Sequence, residues 1–144
     1  MSEQPPNLLQ QLGRSSRAMY SAFEGCVGQA LPRWRILKAL DDLGTVSQKR
    51  LACHLQMDPG ALTRQLKPLE AERLVRRGTD PADNRQTLVT LDAAGSALLL
   101  AAAPQRQAFF DQALSGIEEG ELEATLRVLR VLEQRFRGMA AGER

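Results

Sequence analysis

Apolar residues recur every three or four positions along most of the chain, the spacing that places them on one face of an α-helix. The pattern predicts a first helix over residues 7–27 and a second from Pro32 to Gly44. A long helix is expected from Asp92, as its N-cap, to about Leu114. Six helices are predicted in all. Only residues 74–91 change to the alternating pattern that is typical of strands.

Capping residues bound two short helices in the middle of the chain. Ser47 and Asp58 can each cap a helix by accepting a backbone N–H group, and Pro59 suits a first helical position. Only Gln56 and Met57 separate the two helices, so they must cross steeply, as in a helix-turn-helix. The residues expected to face inward across the angle are Leu51, Ala52, Leu55, Leu62 and Leu66.

The alternating segment predicts a β-hairpin after the second of these helices. Residues 74–78 and 86–91 are expected to form its strands, and residues 79–85 a long polar loop. The hairpin would then project as a wing beside the helix-turn-helix.

The C-terminal helices carry two local signals. Pro104 should kink the helix that begins after Asp92, because proline removes a backbone hydrogen bond. Ser115 and Glu118 have the spacing of a capping box for a last helix. The expected fold is mainly α with a small β-hairpin, a winged helix-turn-helix with N- and C-terminal dimerisation helices.

The apolar stripes at both ends of the chain lie outside the segment that a winged helix-turn-helix needs. Such a stripe is most economically buried against a second copy, through a two-fold interface. We therefore expect a homodimer built from one integrated domain: a dimerisation helix in residues 1–30, a DNA-binding core in residues 31–91 and dimerisation helices in residues 92–144. A compact monomer, with these helices covering the core, is the alternative.

Composition adds a charge pattern and several exclusions. Residues 33–90 hold eleven Lys and Arg against seven Asp and Glu, whereas the whole chain carries only +2. This predicts a locally positive face. No apolar run reaches the about 18 residues that span a bilayer, and the start MSEQPPNLLQ lacks signal-peptide regions. We expect a cytoplasmic protein without membrane contact.

Cysteine and histidine are too scarce for the usual metal, cofactor or disulfide chemistry. Cys26 and Cys53 cannot build a disulfide framework, and His54 is the single histidine. Cys53, inside the helix-turn-helix, is expected to be a buried small hydrophobe. No phosphate loop, nucleophile elbow or paired metal ligands indicate an enzyme, and no cofactor is expected.

The second helix of a helix-turn-helix enters the major groove of DNA. Arg64 has the geometry for a bidentate contact to guanine, and Thr63 could meet a thymine methyl or a phosphate. A merely solvated helix face is the alternative interpretation. The outward-facing positions of this helix are Pro59, Gly60, Thr63, Arg64 and Lys67.

Further DNA contacts are expected from the wing and from the start of the first helix of the motif. Asp83 is expected to brace Arg85 through a bidentate pair at the wing tip. The wing arginines, on or beside the projecting loop and suited to a narrow minor groove, are Arg76, Arg77 and Arg85. The residues placed for phosphate at a helix N-terminus are Ser47, Gln48 and Lys49.

The run from Leu62 to Glu70 and the later segments 74–77, 80–85 and 89–91 resemble the MarR family of bacterial transcription regulators. The resemblance in helix order covers nearly the whole chain. It implies an obligate dimer that binds a palindromic operator and usually represses. It also places the family's recognition-helix arginine at Arg64 and its wing-tip pair at Asp83 and Arg85. Pro68 departs from the commonest helix interior and is expected to bend the helix beyond the reading surface.

The same resemblance implies a small effector, since many members release DNA when an aromatic anion of the benzoate, salicylate or hydroxynicotinate type enters a crevice beside the DNA-binding lobe. A carboxylate favours a guanidinium and a ring favours stacking. The candidate ligand residues are Arg14, Arg17, Tyr20, Trp34 and Arg35. A tryptophan such as Trp34 is more often part of the core, and Arg14 and Arg17 are more often solvated or engaged in interface ion pairs. A cysteine-based oxidant sensor and a winged-helix protein-interaction module without a DNA target are the alternative functions.

Overall fold

The computed structural model describes residues 7–142 and confirms the mainly α, winged helix-turn-helix architecture. The outer ends of the two predicted dimerisation segments, residues 1–6 and 143–144, lie outside the described residues. The described chain divides into two compact units, one ending at Phe109 and the other beginning at Phe110. Its elements are α1 Leu8–Val27, α2 Leu31–Leu43, β1 Val46–Ser47, α3 Gln48–Leu55, α4 Pro59–Ala71, β2 Val75–Asp80, β3 Asp83–Leu91, α5 Ala93–Leu114 and α6 Glu119–Ala140.

The sheet has one more strand than the sequence predicts. β1 joins the hairpin in the order β1-β3-β2, with both pairings antiparallel. Val46 of β1 pairs with Val89 of β3 and is buried. A strand of two residues has no periodicity to detect, and its pairing depends on a partner far along the chain.

The prediction of a long loop over residues 79–85 is wrong. β2 continues to Asp80 and β3 begins at Asp83, so only Pro81 and Ala82 lie between them. The Asp80 carboxylate accepts the Ala82 N–H at 2.9 Å and tightens the turn. The tip projects away from the core, so its strands are exposed and polar and lack the alternation by which strands are predicted.

The caps of the helix-turn-helix agree with the sequence prediction. Ser47 Oγ accepts the Arg50 N–H at 3.1 Å, and Asp58 Oδ2 accepts the Ala61 N–H at 3.0 Å. The Asp92 carbonyl accepts the Ser96 N–H at 3.0 Å, as expected of the residue before α5. These local bonds begin the helices where the sequence places their starts.

The capping box predicted at Ser115 is wrong. α6 begins after Glu118, whose backbone N–H donates to Glu121 Oε1 at 3.2 Å. Gly116 has a φ of +78°, a left-handed conformation that turns the chain between α5 and α6. This turn delays the start of α6 by three residues relative to the prediction.

The inner faces of α2, α3 and α4 and the base of the sheet pack together in the core of the first unit. Four of the five residues predicted to face inward in the helix-turn-helix are buried, and Leu55 is half-buried. α4 continues past Pro68 and α5 past Pro104. The largest fully buried side chains are Phe23, Ile36, Leu37, Leu40, Leu51, Leu62, Leu66, Leu69, Val75 and Val89.

Candidate nucleic-acid interface

The turn between α3 and α4 sets the direction of the second helix. Gln56 adopts a left-handed conformation, with a φ of 55°, after the last residue of α3. The Met57 N–H donates to the Ala52 carbonyl at 2.9 Å and closes the turn. Leu62 and Leu66 of α4 then point into the core, which leaves the opposite side of α4 at the surface.

We call this outer side the reading face and define it as the five predicted outward positions Pro59, Gly60, Thr63, Arg64 and Lys67. Four of them are exposed and Thr63 is half-buried. Thr63 Oγ1 accepts a hydrogen bond from Gln48 Nε2 at 2.6 Å and donates to the Pro59 carbonyl at 3.0 Å. Its hydroxyl therefore fastens the start of α3 to α4, and its DNA contact stays a prediction.

Arg64 is available for contacts outside the chain. It is exposed, and within residues 7–142 its guanidinium has no hydrogen-bond or ion-pair partner. Its Nη1 atom lies 3.6 Å from the position that a Cβ on Gly60 would take. Asp58 Oδ2 lies 3.1 Å from the same position, so a side chain at residue 60 would crowd the first turn of α4, and glycine leaves room there for both groups.

Asp83 and Arg85 meet at the wing tip, but not in the predicted bidentate geometry. One carboxylate oxygen, Asp83 Oδ1, accepts both the backbone N–H of Arg85 at 3.1 Å and its Nε at 3.2 Å. The Arg85 side chain is 90% exposed. Because only two residues separate the pair, the carboxylate reaches the near side of the guanidinium, and the far side projects into solvent.

Arg76 and Arg77 lie at the base of the hairpin, so their predicted place on or beside the projecting loop is wrong. Arg76 Nε is 2.9 Å from Asp92 Oδ1. Arg77 is held more firmly: its Nε and Nη2 donate to the two oxygens of Glu70 at 3.2 Å each, and its side chain is only 19% exposed. The Arg77 bond lowers the pKa of the Glu70 carboxyl below its usual value. Arg77 ties β2 to α4 and Arg76 ties it to the residue before α5, and a contact from either to DNA remains a prediction.

The start of α3 adds a second group of cations close to the reading face. Ser47 is engaged as the N-cap, and Gln48 bonds to Thr63. Lys49 and Arg50 are exposed, and neither side chain has a hydrogen-bond or ion-pair partner in the described chain. Arg50 was not among the predicted phosphate-contacting residues, although it stands in the same helical turn as Lys49.

A cavity of about 330 Å³ lies between α2 and α5 in the first unit. Among the predicted ligand residues only Trp34 lines it. The cavity adds two cationic side chains that sequence reasoning missed, Lys38 and Arg106. Lys38 bonds to Asp42 at 3.0 Å, and this bond raises the pKa of its ammonium group. The lining residues are Trp34, Lys38, Asp41, Ser96, Leu99, Leu100, Ala103, Arg106 and Gln107.

The other predicted ligand residues lie on α1 and on the outside of α2. Arg35 Nη1 donates to the Tyr20 hydroxyl at 3.2 Å, and its guanidinium carbon is 5.7 Å from the ring centroid. Arg14 and Arg17 are exposed on α1. Trp34 is buried and packs edge-on against Phe23, with 5.9 Å between ring centroids. Trp34 therefore serves the core and the cavity wall together.

The predicted burial of Cys53 is wrong, since its side chain is exposed, as is that of Cys26. α3 turns Leu51 and Ala52 inward, which places the next residue toward solvent. Between residues 7 and 142, no three His, Cys, Asp or Glu side chains are grouped to hold a metal ion. None of the described helices is long and apolar enough to cross a membrane.

The fold and its exposed basic helix define a winged helix-turn-helix transcription regulator. Residues 30–87 match the MarR family. YxaD of Bacillus subtilis strain 168, an uncharacterized HTH-type transcriptional regulator, is 33% identical over 101 residues, which are 70% of this chain and 71% of YxaD. The chain belongs to the MarR family and is a DNA-binding transcription regulator.

Two solved structures extend the similarity in fold beyond the matched segment. A mutant of MarR from Escherichia coli complexed with operator DNA has a TM-score of 0.81 at 19% identity, over 87% of this chain and 92% of that chain. BpsR of Bordetella bronchiseptica, in a study of how 6-hydroxynicotinic acid regulates its DNA binding, has a TM-score of 0.78 at 24% identity, over 89% and 99% of the two chains.

Proposed function

We propose that the protein is a homodimeric repressor that places α4 of each copy in the major groove of a palindromic operator. The observation that carries the proposal is Arg64, exposed and unpaired within residues 7–142 on the outer side of α4. A guanidinium in this position can donate two hydrogen bonds to the major-groove edge of guanine. The operator-bound MarR of E. coli has the same fold, which supports this placement.

Phosphate contacts are proposed for the cations around α4 that the chain leaves free. Lys49 and Arg50 stand at the N-terminus of α3, where backbone N–H groups also favour an anion. Arg85 extends from the wing tip and would enter the minor groove. Together with Arg85, these cations place about six positive charges of a dimer against the DNA, enough for a strong salt dependence.

The exposed apolar residues of α1 and α6 support a dimer. Each helix is amphipathic, and an exposed apolar stripe is costly unless another surface covers it. We propose that the N-terminal helix and the C-terminal helices cover these stripes against a second copy. The exposed large apolar residues of the two helices are Leu8, Leu9, Met19, Leu126, Val128, Val131, Phe136 and Met139.

A small aromatic anion is the proposed effector, and the cavity between α2 and α5 is its proposed site. The buried Trp34 lines this cavity together with two cationic residues, Lys38, which is bonded to Asp42, and Arg106. BpsR, a protein of the same fold, is described as regulated by 6-hydroxynicotinic acid, which belongs to this chemical class. A ligand that favours the DNA-free form would weaken operator binding by about 1–3 kcal/mol.

The proposal is tested by retardation of the DNA upstream of the protein's own gene. We expect the affinity to fall about a thousandfold or more as salt rises from about 50 to 200 mM. We also expect 6-hydroxynicotinic acid, salicylate or benzoate to weaken binding at fixed salt. Equal affinity for a scrambled fragment of the same length would contradict the repressor function, and no retardation of either fragment would favour a protein-interaction module.

A further inference from the structure

Two carboxylates at the C-terminal end of α4 are each held by an arginine from another element. Glu70 is held by Arg77 of β2, as described above. Glu72, the C-cap of α4, is held by Arg33 of α2, with Nη1–Oε2 and Nη2–Oε1 distances of 2.6 and 3.0 Å. The second pair joins residues 39 positions apart in the chain. It is a two-bond, charge-assisted contact, which fixes direction as well as distance.

The environment of Arg33 makes it depend on Glu72. Its side chain is only 24% exposed, whereas that of Glu72 is 51% exposed. Arg33 Nε is buried and has no hydrogen-bond partner within residues 7–142. The two bonds to Glu72 therefore provide the compensation for a partly desolvated guanidinium, and loss of Glu72 would leave that charge without a counterion.

We propose that Arg33 and Glu72 are positioning residues that set the angle of α4 on α2 and thereby the operator specificity of the reading face. This inference rests on the proposed function. Neither side chain belongs to the reading face, so their effect on DNA would pass through the orientation of α4.

The position of the pair gives it leverage over Arg64. Glu72 lies eight residues after Arg64, about 12 Å along a helix axis. Over that length a tilt of about 5° moves Arg64 by about 1 Å, which is comparable to the whole tolerance of a hydrogen-bonded base contact. Leu62, Leu66 and Leu69 hold the inner side of α4. At the C-terminal end of α4, Arg33 of α2 fixes the direction of the helix through its two bonds to Glu72.

Removing the carboxylate charge of Glu72 distinguishes an effect on the orientation of α4 from an effect of net charge on DNA affinity. Glu72→Gln makes the protein more positive, so affinity for non-specific DNA should stay the same or rise. Under the proposal, affinity for the operator falls, because α4 is no longer held at its reading angle. Changes of opposite sign on the two DNAs cannot arise from net charge alone.

The experiment measures the ratio of operator to scrambled-DNA affinity for the full chain. We expect Glu72→Gln to lower this ratio about tenfold. Arg33→Lys, which keeps the charge but loses the fork, should give an intermediate ratio. The matched control is Glu133→Gln, the same change in an exposed pair with Arg137 on α6, which should leave the ratio unchanged.

A charge exchange completes the test. The double variant Arg33→Glu with Glu72→Arg should recover most of the lost ratio, because it rebuilds the pair in reverse. The positioning role is overturned if Glu72→Gln leaves the ratio of operator to scrambled-DNA affinity unchanged. It is also overturned if the double variant does not recover this ratio, although Glu72→Gln and the double variant both unfold at the wild-type temperature. Wild-type protein that does not distinguish the operator from scrambled DNA overturns the proposed function instead, and this inference with it.

Discussion

Replacing Arg64 by alanine is expected to weaken operator binding by about 1–3 kcal/mol for each half-site. Arg64 is exposed on the reading face and has no partner within residues 7–142, so the substitution breaks no described contact of the free protein. The loss should therefore fall on DNA binding and leave the unfolding temperature unchanged. It should also be largest at one base pair of each half-site, where guanine is no longer distinguished from other bases.

Fluorescence anisotropy with the operator and with single-base variants of it measures this effect. Arg127→Ala is the matched control, because Arg127 is an exposed arginine on α6, outside the unit that holds α4. The control should bind all fragments as the wild type does. If Arg64→Ala keeps full operator affinity, or if it loses affinity equally for every sequence, Arg64 does not read a base.

Replacing Gly95 by alanine is expected to lower the free energy of unfolding by about 3 kcal/mol. Gly95 is buried in the first turn of α5, where a Cβ would lie 2.3 Å from the Leu74 carbonyl oxygen and 2.5 Å from Leu91 Cδ1. The leucine side chain can move, but the carbonyl belongs to the backbone and accepts the Asp92 N–H at 2.9 Å. The methyl group therefore pushes α5 away from the start of the wing.

Urea denaturation measures the free energy of unfolding, and Gly25→Ala is the control variant for Gly95→Ala. Gly25 also lies within a helix, but a Cβ there would meet nothing within 4 Å. Alanine favours the helix more than glycine does, so this variant should match the wild type or gain up to about 1 kcal/mol. Equal stability of the Gly95 and Gly25 variants would contradict the close packing of α5 against Leu74.

Local chemistry explains which parts of the fold could be predicted from the sequence. The starts of α3 and α4 depend on Ser47 and Asp58, whose side chains bond within three residues, and both were predicted correctly. β1 depends on the pairing of Val46 with Val89, which no local pattern encodes. The start of α6 follows from the left-handed turn at Gly116, for which Ser115 and Glu118 gave a misleading capping signal.

The candidate site also has features that the local sequence predicts and features that depend on the packing of separate elements. Helical periodicity is enough to place Arg64 outward, and a separation of two residues is enough to bring Asp83 to Arg85. The bonds of Arg77 to Glu70 and of Gln48 to Thr63 arise only when separate elements pack together. The sequence could therefore identify the exposed cations, but it could not tell which of them the protein itself engages.

The cavity was the least predictable feature. Of the expected ligand residues, the aromatic Trp34 lines the cavity. Its cationic residues come instead from a later turn of α2 and from α5. Lys38 follows Trp34 by one helical turn, so its place on the same side could have been inferred. Arg106 joins them only through the packing of α5 beside α2.

Hydroxyl-radical footprinting of the upstream DNA tests most directly whether two copies of α4 read one duplex. Two protected half-sites, about 10–10.5 base pairs apart from centre to centre, are the result that a two-fold dimer requires. Protection of a single half-site, protection without dyad symmetry, or a footprint that Arg64→Ala leaves unaltered would contradict it.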